Sequence, residues 1–193
     1  MKKQILILIL VLFGFSLKAY GAATVPLSVN VNGSLVISDA SNDTMAGKDP
    51  TINVAIAVTP DLGAAIATGQ ANFRIRTNNA TWRLTTQRTA SNAGSTGIAD
   101  GDVSVTVTKS AGTNANINAG ALVAPFTAAT NLTNIPTAAP TNVISGTSKT
   151  STVRDASNTN NWFQVNTTYG IAPDFFYTPG TFSTTITYNL VSP

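Results

Sequence analysis

Apolar and polar residues alternate along much of the chain. Near the start, Leu27, Val29 and Val31 are separated by Ser28 and Asn30. Residues two apart in a strand share a face, so this spacing predicts a strand with one buried and one solvated side. The same alternation predicts further strands at Leu35 and Ile37, Ile52 to Val58, Phe73 and Ile75, Val103 to Val107, and Phe182 to Leu190.

Turn-forming residues separate the alternating runs. Residues 38–50, 90–102 and 110–120 are rich in Gly, Asn, Asp and Ser, which favour turns over continued strands. Short strands divided in this way predict an all-β fold, a single antiparallel β-sandwich of the Ig-like or Greek-key type. Residues 124–157 contain three prolines and no clear period, so we expect one long excursion over the surface.

The first residues have the order of a secretory signal peptide. Lys2 and Lys3 precede an apolar run that reaches Leu17, and small residues follow around Gly21. The apolar run of about 13 residues is shorter than the roughly 20 that span a bilayer. We therefore expect residues 1–21 to be removed, residues 22–193 to form the domain, and the secreted protein to have no membrane span.

Charge gives no reason to propose nucleic acid as a partner. The whole chain carries a net charge of +3, but Lys2, Lys3 and Lys18 would leave with the signal peptide. The eight basic residues that remain balance eight aspartates. A neutral protein does not attract nucleic acid or anionic lipid.

The residue types that carry most enzymatic chemistry are missing. The chain has no His, no Cys and no Glu, which removes the Ser/His and Cys/His pairs and most transition-metal ligands. A pair of aspartates remains available to a glycosidase mechanism, and loop aspartates such as Asp39, Asp43, Asp100 and Asp102 remain available to calcium. We interpret these aspartates as turn residues, and we expect a protein that is not an enzyme and has no cofactor or metal site.

One of the two tryptophans lies in a polar stretch, Asn78 to Gln87. In a strand, Trp82 and Leu84 point to one side and Arg83 points to the other. We expect the indole ring to fill the space between two sheets, with its N–H bonded to a carbonyl. The alternative is an exposed platform on which a sugar or a peptide stacks.

The same stretch resembles a known family. Trp82-Arg83-Leu84 after the predicted strand "NFRIRTNNA", and the C-terminal stretch "YTPGTFSTTITYNLVSP" with Tyr188-Asn189-Leu190, are similar to the two motifs of bacterial WxL surface domains. Tyrosine stands in the second motif where the family usually has tryptophan. The resemblance implies non-covalent association with the cell wall, through peptidoglycan or another cell-surface polymer, in display or adhesion. Trp82, Leu84, Tyr188 and Leu190 are the residues that carry this implication.

A second interpretation starts from the N-terminus of the secreted chain. Val25, Leu27, Val29 and Val31 alternate with polar residues almost directly after the predicted cleavage site. Such a segment can complete the sheet of a neighbouring copy, as in a fimbrial or pilin-like subunit that self-associates by strand donation. This hypothesis requires that residues 24–31 pack poorly on their own subunit.

Overall fold

A computed structural model describes residues 26–193. The predicted signal peptide and Val25 lie outside the described residues. Residues Asn32–Pro193 form one compact unit, and the residues up to Val31 belong to a separate one. The following paragraphs concern the compact unit unless they state otherwise.

The described part of the chain contains nine strands, and its only helical elements are three short 3-10 turns. None of its helices is long and apolar enough to cross a membrane. The strands are β1 (Leu35–Asp39), β2 (Ala67–Thr77), β3 (Trp82–Arg88), β4 (Val103–Ala111), β5 (Gly120–Leu122), β6 (Thr130–Asn131), β7 (Thr141–Gly146), β8 (Phe163–Ile171) and β9 (Ile186–Val191).

The strands form two antiparallel sheets. The first sheet has the order β1-β2-β8-β4-β6, and the second has the order β5-β7-β3-β9. Their inner faces share one hydrophobic core, to which strands of both sheets contribute. The predicted all-β sandwich is confirmed, and the alternation explains it: β2, β3, β4 and β8 bury every second residue over most of their length.

Strand β2 shows how the sequence selects the faces. Ala71, Phe73 and Ile75 are buried, whereas Arg74 and Arg76 lie on the outer face. Strand β8 pairs with β2 on one side and β4 on the other. The search for alternating apolar residues did not find this central strand, because the polar Thr167 takes one of its inward positions.

The prediction of a surface excursion over residues 124–157 is wrong. This region contains β7, which pairs with both β3 and β5. It also places five apolar side chains in the core: Phe126, Leu132, Ile135, Val143 and Ile144. The prolines interrupt the period of the sequence without moving the segment to the surface, since short elements still reach the core: Leu132 lies in a 3-10 turn, and Val143 and Ile144 are neighbours in β7.

Two of the predicted strands are not strands in the structure. Residues 52–58 keep the expected alternation of half-buried and exposed side chains but join no ladder with a described residue. Residues 26–31 are not a half-buried strand either, since all six are exposed and irregular. Both segments therefore have the alternating sequence of a strand but pair with no other strand of residues 26–193.

Candidate functional site: an apolar groove at a sheet edge

The first W-x-L motif is part of the core. Trp82 and Leu84 are 1% and 0% exposed, and the indole N–H of Trp82 donates to the carbonyl of Ser148 at 2.7 Å. The Trp82 ring meets Phe163 edge to face, with centroids 5.8 Å apart. The expected core role is confirmed, and a sugar or peptide cannot stack on a ring that is buried in this way.

Glycines make room for the Trp82 ring. A β-carbon added at Gly120 would lie 2.6 Å from Cη2 of Trp82, and one added at Gly146 would overlap the indole ring. Both glycines lie in strands next to the ring, where any larger residue would force the indole out of position. The sandwich is closely packed at this end.

The second motif lies on the neighbouring strand but reaches a different environment. Strand β9 pairs with β3, with Leu190 opposite Leu84 and Tyr188 opposite Thr86. Leu190 and Tyr188 are half-buried. The two motifs are thus brought together through their leucines, whereas Trp82 and Tyr188 lie at different levels of the sandwich.

Tyr188 lines an apolar groove of about 1030 Å³, which we call the edge groove. Its floor is the inner face of the first sheet, with Ala71 and Phe73 from β2 and Tyr169 and Ile171 from β8. The rings of Phe73 and Tyr188 lie 5.0 Å apart. The edge groove is thus a continuation of the core that the protein's own strands leave partly unfilled.

Two extended segments flank the floor of the edge groove. One consists of β9 and the residues that precede it, and it contributes Phe182 and Ile186. The other consists of residues 51–60, of which Val54 and Ile56 lie against Gly69 of β2. Along both flanks, half-buried residues, most of them apolar, alternate with exposed polar or small ones.

Both flanks also have unpaired backbone. Within residues 26–193, β9 pairs only with β3 and is the last strand of its sheet. Residues 51–60 form no backbone hydrogen bond with any other described residue. An unpaired edge beside exposed apolar surface is a template for an additional strand.

Two phenols are among the polar groups that line the edge groove, together with Asp49, Asn53 and several hydroxyl side chains. The hydroxyls of Tyr169 and Tyr188 lie 3.1 Å apart, within hydrogen-bond distance. Burial raises the pKa of both tyrosines, and their mutual proximity raises the pKa of Tyr169 further. Both phenols therefore stay neutral at physiological pH, and the groove carries no charge from them.

The N-terminal segment exposes apolar side chains. Leu27, Val29 and Val31 are 88%, 75% and 81% exposed. Ser28 and Asn30 alternate with them, so an extended conformation would place the three apolar side chains on one face. Val25, the fourth residue of the predicted strand donor, lies outside the described residues.

The loop that leads from β1 to residues 51–60 is held by an ion pair. Arg76 donates to both carboxylate oxygens of Asp43, each at 2.7 Å, and Arg74 donates to Oδ2 at 2.9 Å. The Arg76 guanidinium holds the pKa of the Asp43 carboxyl well below its ordinary value, against the opposing effect of burial. Arg74 also stacks on Trp162, with Cζ 4.1 Å from the ring centroid.

The other loop aspartates bond to nearby protein groups. Asp39 accepts hydrogen bonds from Ser41, Asp100 pairs with Arg88 at 2.6 Å, and Asp102 accepts from the backbone N–H of Ala99. Within residues 26–193 no three carboxylates come together in a group that could hold a metal ion. Asp39 is the last residue of β1, and Asp100 and Asp102 lie in a 3-10 turn, so these aspartates lie in or next to turns.

Sequence reasoning missed most of the edge groove. It proposed the donor residues and, through the second motif, Tyr188, but it did not identify residues 51–60 or β8 as lining a site. The available signal was the alternation of residues 52–58, which we interpreted as an ordinary strand. That a segment with this pattern has no partner strand depends on the fold and cannot be read from its own residues.

Comparison with known proteins adds no relative. No protein-family model matches the chain, and no curated protein matches it with significant similarity.

Proposed function

We propose that this protein is a secreted, non-catalytic structural subunit of a cell-surface polymer, in which the N-terminal segment of one copy adds as a strand to the next. The observation that carries the proposal is that one chain has both an exposed apolar segment and an unfilled groove. Three alternating apolar side chains are exposed on residues 27–31, and a largely apolar groove lies open beside the edge of β9 that pairs with no other strand of residues 26–193.

The energetics favour association of these two surfaces. Burying one Leu or Val side chain stabilises by about 1.5–3 kcal/mol, and three such residues are exposed in each subunit. Backbone hydrogen bonds to β9 would add affinity and alignment. In an extended conformation the five residues 27–31 span roughly 17 Å, and the six residues of β9 span roughly 20 Å. The N-terminal segment is therefore long enough to pair along most of β9.

The test is the mass of the secreted protein in solution, measured by size-exclusion chromatography with light scattering. We expect the wild type to form assemblies, and we expect Leu27→Asp/Val29→Asp/Val31→Asp to be monomeric. The matched control is Ser28→Asp/Asn30→Asp, which adds charge to the other face of the same segment and should still assemble. A wild type that stays monomeric at high concentration would contradict the proposal.

Association with the cell wall, which the WxL resemblance implies, stays a separate prediction. Because Trp82 and Leu84 are buried, they would support wall binding through the fold and not by contact. The measurement is pelleting of the purified protein with peptidoglycan. The triple aspartate variant serves here as well, since wall binding by a monomer and assembly through the N-terminus would respond to it differently.

A further inference from the structure

We infer that the incoming N-terminal strand of a second copy lies between β9 and residues 51–58, and that residues 51–58 are a latent strand that pairs with it. The second sheet would then gain two strands from one binding event, the donor and the latent strand. This inference rests on the proposed function and adds the position and the second partner of the donor.

The first observation is the side-chain pattern of residues 52–58. Ile52, Val54, Ile56 and Val58 are half-buried, and the residues between them are exposed. This is the pattern of a strand at the border of a core. An isolated extended segment has no reason to keep it unless one face rests on apolar surface, here at Gly69 of β2.

The second observation is the position of the groove. Its lining includes residues 51–60 and β9 together with the floor formed by the first sheet. A strand that is hydrogen-bonded on both sides lies about 4.8 Å from each neighbour, so it needs a slot between two extended segments. Both flanks line the same groove, and the edge of β9 opposite β3 and the backbone of residues 51–60 have no hydrogen-bonded partner among residues 26–193.

The third observation concerns the donor itself. Pro26 has no N–H to give, and proline within sheets is confined to edges and to the first residue of a strand. Pairing on both sides is therefore available from Leu27 onward. Leu27, Val29 and Val31 would face the floor of the groove, and Ser28 and Asn30 would face solvent beside the exposed residues of both flanks.

Engineered disulfides can test both flanks, because the chain has no cysteine of its own. Asn30→Cys is combined in one full-length chain with a cysteine on an outward position of β9, Thr187 or Asn189. A second series combines it with an outward position of the latent strand, Asn53, Ala55 or Ala57. Asn30→Cys with Thr108→Cys, on the outer face of β4, is the control.

The expected result is a ladder of disulfide-linked oligomers, on a non-reducing gel, for at least one member of each series and none for the control. Ladders from the β9 series alone would overturn the inference and leave the proposed function standing. Ladders from neither series, with assemblies still seen by light scattering, would also overturn it. If the wild type forms no assemblies at all, the result would contradict the proposed function as well.

Hydrogen exchange gives a readout that does not depend on cysteines. The amides of residues 52–58 should exchange at least 10-fold more slowly in wild-type assemblies than in monomers of the Leu27→Asp/Val29→Asp/Val31→Asp variant. Slower exchange confined to β9 would show that the donor pairs on one side only and would overturn the inference.

Discussion

The two W-x-L-like motifs lie on neighbouring strands and yet reach opposite conditions of packing. At Trp82 the sandwich is so closely packed that Gly120 and Gly146 have no room for a β-carbon. At Tyr188 the same pair of sheets opens into a groove of about 1030 Å³. The comparison shows that one core can be complete at one level and incomplete at another, and our proposal places the strand of a second copy at the incomplete level.

The largest effect on stability should come from removing the Trp82 ring, which fills the closely packed end of the sandwich; we call this region the packed end. Trp82→Ala should lower the free energy of unfolding by about 3–5 kcal/mol, because the cavity it leaves cannot collapse. Trp162→Ala is the matched control, since that ring is half-buried and mainly supports Arg74, and it should cost only about 1 kcal/mol. Chemical denaturation measures both, and equal losses would contradict a closed core at Trp82.

Adding side-chain volume should destabilise the packed end around Trp82 more than a position with free space. Gly146→Ala should destabilise by about 1–3 kcal/mol, since the new methyl group would overlap the Trp82 ring. Gly101→Ala is the control, because a β-carbon there meets no atom within 4 Å. An unchanged Tm for Gly146→Ala would show that the region around Trp82 has room for an added methyl group and would contradict close packing there.

The loop between β1 and the latent strand is stabilised by the ion pairs of Asp43 with Arg74 and Arg76, whereas the packed end is stabilised by close packing. Asp43→Asn should cost about 2 kcal/mol at neutral pH, less than the loss of a fully buried ion pair, because solvent reaches this one. The folded-state pKa of Asp43 is lowered, so its contribution is complete above the ordinary value of 3.8 and is lost as pH falls below it.

Stability measured as a function of pH checks this sign. The wild type should lose stability between pH 4 and pH 2 more steeply than Asp43→Asn, in which the linked carboxylate is gone. Asp61→Asn, at an exposed position, should leave the wild-type slope in place. Parallel curves for the wild type and Asp43→Asn would refute the role of the ion pair.

The smallest effect on stability is expected in the groove. Ala71→Leu adds volume to the floor, where the structure has space, so the free energy of unfolding should change by less than about 1 kcal/mol. Assembly should weaken all the same, because the added side chain occupies the place of the donor. Unfolding and light scattering on the same sample would separate the two effects.

Much of the fold follows from the sequence, since alternation at Leu35 to Ile37, Phe73 to Ile75 and Val103 to Val107 gave strands that exist. Strand β8 was missed because threonine at position 167 faces the core, where the period alone expects an apolar residue. The core role of Trp82 followed from its spacing with Leu84.

The groove could not be predicted in the same way. Residues 52–58 and 27–31 have the same sequence pattern as the true strands, and only the three-dimensional arrangement shows that neither joins a ladder with another residue of 26–193. Local sequence determines which face of a segment is apolar. Whether that face is covered depends on residues far along the chain, or on another copy of it.

The central claim is that the edge groove is a site for the N-terminal strand of another copy. The most direct measurement adds a synthetic peptide of residues 22–33 to the monomeric Leu27→Asp/Val29→Asp/Val31→Asp variant and follows binding and Tm. We predict saturable binding and a rise in Tm, since a ligand at 100 times its Kd stabilises by about 2.7 kcal/mol. A peptide with Val29→Asp should do neither. An unchanged Tm and no binding of the wild-type peptide would contradict the claim.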